Sequence, residues 1–334
     1  MALPTLVLAA NGPDIDVFSY FVGSDTALGF RRGWTHGPIG VVVLPLLVVA
    51  IVIGWDRWRR HAEESRPEVS VRALVVLAYL GTLSHPTLDW LNTYGVRLLM
   101  PFSERWFYGD ALFIVDPWVW LLLGGVVALT RATTRRSILA WCGLAAVATL
   151  LMLVALPAEL VIAKVVWCTG VLLLVAVGWR RGRRPEADRG LASAAICIFL
   201  LYTVAMVALG RAADRVVMAE LESSLTVEGV MSGPSMATPF RRDVVVETPG
   251  EYRLAHFDWL AEPRVRLLPD RYSRSLEPDV AQAIVSDKCV RGFLAWSRLL
   301  VAERAEGEVQ LFDLRYARRP TAGFGGASVA LGSD

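Results

Sequence analysis

Long apolar stretches parted by short arginine-rich connections make up most of the first two thirds of the chain. Six such runs lie near Pro38 to Gly54, Val71 to Leu91, Phe113 to Thr130, Ile138 to Leu156, Glu159 to Trp179 and Leu191 to Gly210. Each approaches the length a helix needs to cross roughly 30 Å of hydrocarbon. Pro45 and Pro86 interrupt two of the runs, which spanning helices tolerate because neighbouring groups satisfy the freed carbonyls. Ahead of the first run, Met1 to Ala10 is apolar but too short to span and lacks the basic flank of a signal peptide, so it reads as the end of a helix. Asn11 to Asp16 then breaks the pattern with turn chemistry.

After Arg211 the pattern changes to that of a soluble chain. Val216 to Val227 predicts a helix leaving the membrane, and Ser232 to Pro239 a linker. Arg242 to Thr248 and Glu251 to Leu260 read as strands around a Pro249-Gly250 turn. Asp279 to Ser286 and Val290 to Glu303 read as helices, and Glu308 to Tyr316 and Ala327 to Leu331 as strands. The fold expected is a mainly α membrane protein, about six transmembrane helices in a bundle followed by a small soluble α+β C-terminal domain. Its expected divisions are a truncated helix end with a motif segment (1–37), a six-helix transmembrane domain (38–211), a linker (212–240) and the α+β domain (241–334).

Composition supports a membrane protein: of 334 residues 54% are hydrophobic, and the mean hydropathy of +0.46 is too apolar for an ordinary soluble domain. The formal net charge of +2 says less than its placement. Arg57, Arg59, Arg60, Arg66 and Arg72 fill one loop, Arg131, Arg135 and Arg136 another, and Arg180, Arg181, Arg183, Arg184 and Arg189 a third. These are alternate loops, and short basic loops stay cytoplasmic. Residues 11–37, the connection 92–112 and everything after Arg211 therefore fall on the opposite side. Read as topology signals, the arginines make membrane lipid the expected partner and give no reason to expect nucleic acid. Cys142, Cys168, Cys197 and Cys289 form no CxxC pair, so neither a zinc ribbon nor a disulfide framework is supported.

Candidate chemistry gathers on that outer side. His85 and Asp89 are four apart at the end of the second run and stack on one helical face. Ionisable groups at membrane depth are costly unless they pair, bind a metal or line a wet cavity. Imidazole plus carboxylate suits a divalent metal, zinc first among the choices, while a simple hydrogen-bonded pair or helix cap is the plainer reading. Asp14 and Asp16 could face one ion, or Asp14 could only cap a helix. His36 closes a segment with Arg31 and Arg32, a composition fit for anion binding or for anchoring at the membrane boundary. Asp116, before Pro117, is a ligand, an acceptor that orients a histidine, or an N-cap. His61 and His256 fall in a basic loop and in the tail, away from this group.

Phe30-Arg-Arg-Gly-Trp-Thr-His-Gly37, Leu83-Ser-His-Pro-Thr-Leu-Asp-Trp-Leu-Asn-Thr-Tyr-Gly95, Leu99-Met-Pro-Phe-Ser-Glu-Arg-Trp-Phe107 and Phe113-Ile-Val-Asp-Pro-Trp118 together resemble the YdjM-like family of inner-membrane, predicted metal-dependent hydrolases. In the tail, Phe293-Leu-Ala-Trp-Ser-Arg298 and Phe312-Asp-Leu-Arg-Tyr316 look like the extension of longer members. The resemblance implies metal-binding positions at Asp14, Asp16, His36, His85 and Asp89, with Asp116 as helper. A more distant likeness, to zinc-dependent phospholipase C and nuclease folds, implies phosphoester chemistry.

Two features depart from the family pattern. Members usually carry a further histidine segment before the Asp-x-Asp turn, and many have a histidine where Arg31 stands here. Either the chain is N-terminally shortened or its metal site is depleted, and the fragment-like apolar start favours shortening. The resulting expectation is a bacterial inner-membrane hydrolase with a periplasmic metal site and tail, acting on phosphoester or lipid-type substrates. In it Arg31 and Arg32 would stabilise negative charge on substrate. The alternative is a non-enzymatic membrane protein with a structural or stress-linked role, in which the polar cluster satisfies itself.

Overall fold

The computed structural model describes residues 1–60, 70–180, 185–321 and 323–331. His61, Arg66, Arg181, Arg183 and Arg184 of the sequence reading lie outside the described residues. Among those described, five helices are long and apolar enough to cross a membrane: Pro38–Arg59, Val71–Trp90, Arg135–Ala155, Val161–Arg180 and Asp188–Leu221. Six were expected. The run from Phe113 forms only a shorter apolar helix, Pro117–Arg131, because Asp116 stops it at its front. The Asp116 carboxylate accepts the backbone N–H groups of Trp118 and Val119 at 2.9 and 3.1 Å, so the helix starts at Pro117.

In chain order the membrane part begins with α1 (Ala2–Asn11), a 3-10 helix at Pro13–Phe21 and α2 (Ser24–Phe30). Helices α3 (Pro38–Arg60) and α4 (Val71–Trp90) follow. Next come α5 (Pro117–Val119), a π turn at Trp120–Gly124, α6 (Gly125–Arg131), α7 (Arg135–Ala155), α8 (Val161–Arg180) and α9 (Pro185–Leu221). Helix α1 packs on α3 and α4 through Ala9, Val48, Val49, Val52, Leu74 and Ala78. Small residues permit the approach: a Cβ added at Gly81 would lie 3.0 Å from Ala9 and from the Ala10 nitrogen. The last carbonyls of a helix lack intrahelical donors. Here α4 supplies them, Thr82 donating to Ala9 at 3.2 Å and His85 Nδ1 to Ala10 at 2.7 Å. These two bonds fix where the chain re-enters toward Asp14.

The tail holds two antiparallel sheets. One has the order β1 (Gly229–Pro234), β2 (Arg241–Thr248), β3 (Glu251–Asp258), β4 (Val265–Ser273), and the other β5 (Leu300–Ala305), β6 (Glu308–Asp313), β7 (Gly326–Ala330). Helices α10 (Pro278–Ser286) and α11 (Arg291–Trp296) complete it, so the tail is α+β as expected. Side chains alternate across β2. Val244 and Val246 meet Ala213, Val217 and Leu221 of α9, while Val245 joins Leu299, Val301 and Phe312 from the other sheet.

Two element readings are corrected. Residues 212–240 are not a linker, because α9 continues to Leu221 to pack on the sheet and Gly229–Pro234 pairs with β2 as β1. Val290 to Glu303 is not one helix: α11 ends at Trp296, and Leu300–Ala305 is a strand paired with β6. Strand β4 had no expectation attached to it.

Candidate metal centre

Three segments converge at one end of α3 and α4. The 3-10 helix brings Asp14 and Asp16, the loop after α2 brings Arg31, Arg32 and His36, and the last turns of α4 bring His85 and Asp89. Donor atoms of Asp14, His36 and His85 all lie within 4.8 Å of one another. His36 Nε2 is 3.1 Å from Asp89 Oδ2, His85 Nε2 is 3.6 Å from the same oxygen, and His85 Nε2 is 3.5 Å from Asp14 Oδ2. The two imidazoles meet edge to face, ring centres 5.2 Å apart.

The opposite edge of each ligand candidate is already held. His85 Nδ1 donates to the Ala10 carbonyl, which leaves Nε2 as the free nitrogen. His36 Nδ1 sits 2.9 Å from Thr35 Oγ1 and 3.4 Å from Asp16 Oδ2. Asp89 Oδ1 pairs with Arg32 at 3.0 Å. His36 Nε2, His85 Nε2 and Asp89 Oδ2 are then three buried atoms that accept or donate no hydrogen bond. Buried polar atoms ordinarily find partners, and these three point toward one another.

Donors each about 2.0–2.2 Å from a tetrahedral ion stand about 3.3–3.6 Å apart. The separations of 3.5 and 3.6 Å at His85 Nε2 fall in that range, and the 3.1 Å between His36 and Asp89 is slightly shorter. Charge suits it as well. Asp14, Asp16 and Asp89 carry three negative charges against the two of Arg31 and Arg32, leaving one uncompensated among these ion-paired groups when the imidazoles are neutral. With His85 protonated, its hydrogen bond and charge, assisted by Arg31, hold the Asp14 carboxyl well below the usual carboxylate range against the opposing effect of partial burial. Asp14, with 43% of its side chain exposed, is the open edge of the group.

Asp16 occupies a different place from the other acids. Its side chain is fully buried, and its oxygens receive the Arg32 backbone N–H at 2.7 Å, Thr35 Oγ1 at 3.0 Å and Arg31 Nε at 3.4 Å. It reaches the Nδ1 edge of His36, behind the face that Asp89 meets. Arg31 bridges Asp14 and Asp16. Arg32 is buried with φ +51°, in the left-handed region, and its guanidinium donates to Asn92 Oδ1 and the Gly95 carbonyl besides pairing with Asp89. Asp116 is not drawn into the cluster: beyond its capping bonds it accepts from Tyr202 of α9 at 2.8 Å.

Several groups that shape the site were not singled out from the sequence. Thr35 stands beside His36, so its neighbour is the signal that could have found it. Arg97, 3% exposed, donates to the Gly29 and Arg31 carbonyls at 2.6 and 3.1 Å, while its own N–H bonds the Arg32 carbonyl. Asn92 accepts from both Arg32 and the Tyr94 N–H. From the tail, Arg315 donates to the Thr93 and Tyr94 carbonyls. Helix α11 presses on α2 so closely that a Cβ at Gly292 would fall 1.9 Å from the Asp25 carbonyl oxygen. Nothing local in the sequence marks these long-range contacts.

No curated protein and no solved structure matches this chain. The family model described as YdjM inner membrane protein matches residues 1–164, the part that carries α1 to α4 and every member of the cluster. With its apolar helices of spanning length, the chain is a multi-pass membrane protein whose residues 1–164 are similar to the YdjM inner membrane protein family.

Proposed function

We propose that the chain is a membrane-bound, metal-dependent hydrolase, with one divalent ion, zinc by its donor set, held by Asp14, His36, His85 and Asp89. The observation that carries this reading is the convergence of three buried atoms without hydrogen-bond partners, His36 Nε2, His85 Nε2 and Asp89 Oδ2, with Asp89 Oδ2 3.1 and 3.6 Å from the two imidazole nitrogens. When bound, such an ion lowers the pKa of a water and polarises the scissile bond. The remaining residues prepare the site. Asp16 and Thr35 set the ring of His36, the Ala10 carbonyl sets that of His85, and Arg32 aims the second oxygen of Asp89. Arg31 lies beside the half-exposed Asp14 and supplies positive charge for an anionic substrate such as a phosphoester.

Charge placement supports an outward-facing site. With the shorter apolar helix Pro117–Arg131 counted as a further crossing, Arg57, Arg59, Arg131, Arg135, Arg136 and Arg180 fall at the helix ends away from the cluster, and the positive-inside rule then favours the periplasmic face for the centre and the tail. The experiment is metal analysis of the purified full chain beside a His85→Ala, Asp89→Ala double variant. About one zinc per wild-type chain and none in the variant is the expected result. Equal metal in both removes the assignment and leaves the rival, a structural membrane protein whose imidazoles are protonated and paired with Asp14 and Asp89.

A further inference from the structure

The segment Pro13–Phe21 is a 3-10 helix, in which side chains three apart lie over one another. That period divides it into unlike faces. Pro13 and Asp16 are buried, and Ser19, next along their face, donates to the Asp16 carbonyl. Ile15, Phe18 and Phe21 form another ridge, and all three are exposed, Phe18 by 61% and Phe21 by 88%. The Phe18 and Phe21 rings stack with centres 6.1 Å apart and planes 15° from parallel, as eclipsed positions allow. Val17 and Val22, also exposed, widen the ridge, and no lysine or arginine stands between Met1 and Phe30. Contiguous exposed apolar surface of this kind marks a contact with protein or with membrane.

The spans decide between the two. Trp55, Trp58 and Trp179 are exposed at the ends of α3 and α8 away from the cluster, where tryptophan marks the boundary of hydrocarbon and water. At about 1.5 Å per residue, Pro38 lies about 26 Å along α3 from Trp55, close to the thickness of the hydrocarbon layer. The opposite boundary therefore falls near Pro38, just after His36. The 3-10 helix is tied to that level, because Asp16 reaches His36 Nδ1 and accepts the Arg32 N–H. Helix α1, which leads into it, is held by Thr82 and His85 near the end of α4. Phe102 is exposed at the same level, since the neighbouring Met100 carbonyl lies against Gly37.

We propose that the ridge of Ile15, Phe18 and Phe21 is an interfacial membrane anchor, seated among the lipids of the leaflet at this end of the spans. Amphipathic segments lying in the interface bury their apolar side about 5–10 Å into the boundary of headgroup and acyl chain. Continuity makes lipid the occupant, because exposed Leu3, Val7 and Leu8 of α1 carry the apolar outer surface of the helices directly into the ridge. Asp14 and Asp16 share this helix with the ridge, so the open edge of the cluster is held at the level of the lipid headgroups. The anchor depends only on the ridge and the spans, and not on a bound metal.

The test uses the full chain in phosphatidylcholine vesicles, with Cys142, Cys168, Cys197 and Cys289 replaced by alanine and a nitroxide attached at Phe18→Cys or Phe21→Cys. Control labels sit at Leu144→Cys, exposed midway along α7, and at Val285→Cys, exposed in the tail. Collisions with oxygen, which concentrates in the bilayer, are compared with collisions with a water-soluble nickel chelate. The ratio of oxygen to nickel collisions at 18 and 21 is expected about tenfold above that at 285 and nearer to that at 144. A ratio at both positions equal to that at 285 overturns the proposal. Low collision with both reagents does so too, because it marks a second copy or another protein on the ridge. Labels seated in lipid on a chain that holds no zinc uphold the anchor and overturn only the metal reading.

Discussion

At the scale of single residues, the site depends on side chains that do not face the shared point. Asp16 is the clearest case, a fully buried carboxylate whose contacts all serve to hold Arg31, Arg32, Thr35 and His36 in place. Asp16→Asn keeps the shape but weakens the acceptor at His36 Nδ1, so zinc affinity measured by competition with a chelator should fall about 10- to 100-fold. Unchanged affinity would show that His36 is set by Thr35 alone. The buried carboxylate in the tail behaves differently. Burial pushes the Asp313 carboxyl up, but the charge and side-chain hydrogen bonds of Arg315, with the backbone N–H groups of Arg315 and Arg298, outweigh it and hold it below its ordinary value. A depressed folded-state pKa stabilises the fold above the unfolded value of about 3.9, and this contribution is lost as pH falls through the folded value. Thermal unfolding followed from about pH 7 down to about pH 3 should therefore show a loss of stability in the acid limb that Asp313→Asn flattens. An unaltered acid limb in that variant would assign the loss to other carboxylates.

At the scale of elements, what the sequence made legible depended on whether a local pattern or a long-range contact decided the outcome. His85 and Asp89 were visible because helical spacing alone puts them on one face, and Asp14 and His36 because polar residues at the edge of apolar runs are few. The third span was overestimated because apolar composition continues back to Phe113 while the Asp116-Pro117 pair begins the helix four residues later. Strand β4 escaped because Val265–Ser273 lies mostly exposed and carries arginines and a proline, with no apolar alternation to read. The Leu300–Ala305 strand was hidden in a helical-looking run, and its pairing with β6 is what fixes it as extended. Contacts between α11 and α2 were illegible because they join residues far apart in the chain. Phe293 N–H donates to Asp25 at 2.9 Å across that junction. Gly292→Val would drive a side chain into the Asp25 carbonyl, at a cost of about 1–3 kcal/mol or more. The expected outcome is a lowered melting temperature together with faster proteolysis of the tail; a variant as resistant as wild type would show that the junction yields without strain.

At the scale of the whole molecule, the tail and the membrane part form one connected support. Asp313 holds Arg315, Arg315 holds the Thr93 and Tyr94 carbonyls, Asn92 in the same turn holds Arg32, and Arg32 holds Asp89. Arg298 and Asp110 pair at 2.8 Å beside this path, and Trp106 donates to the Ala295 carbonyl. A site braced in this way belongs on the same side of the membrane as the tail. Cys289 is an exposed thiol in the tail, whereas Cys142, Cys168 and Cys197 lie on spanning helices. A membrane-impermeant maleimide applied to intact spheroplasts should label Cys289 and leave a Cys289→Ser variant unlabelled. Labelling only after lysis would reverse the orientation.

The central claim is that acids and imidazoles from three segments share one cation. X-ray absorption at the zinc edge of the full chain reads this directly. Nitrogen and oxygen neighbours at about 2.0–2.2 Å, with the outer scattering of two imidazoles in the wild-type protein and of one in His36→Ala, is the result expected. Zinc surrounded by sulfur, or a spectrum unaltered by His36→Ala, would contradict it.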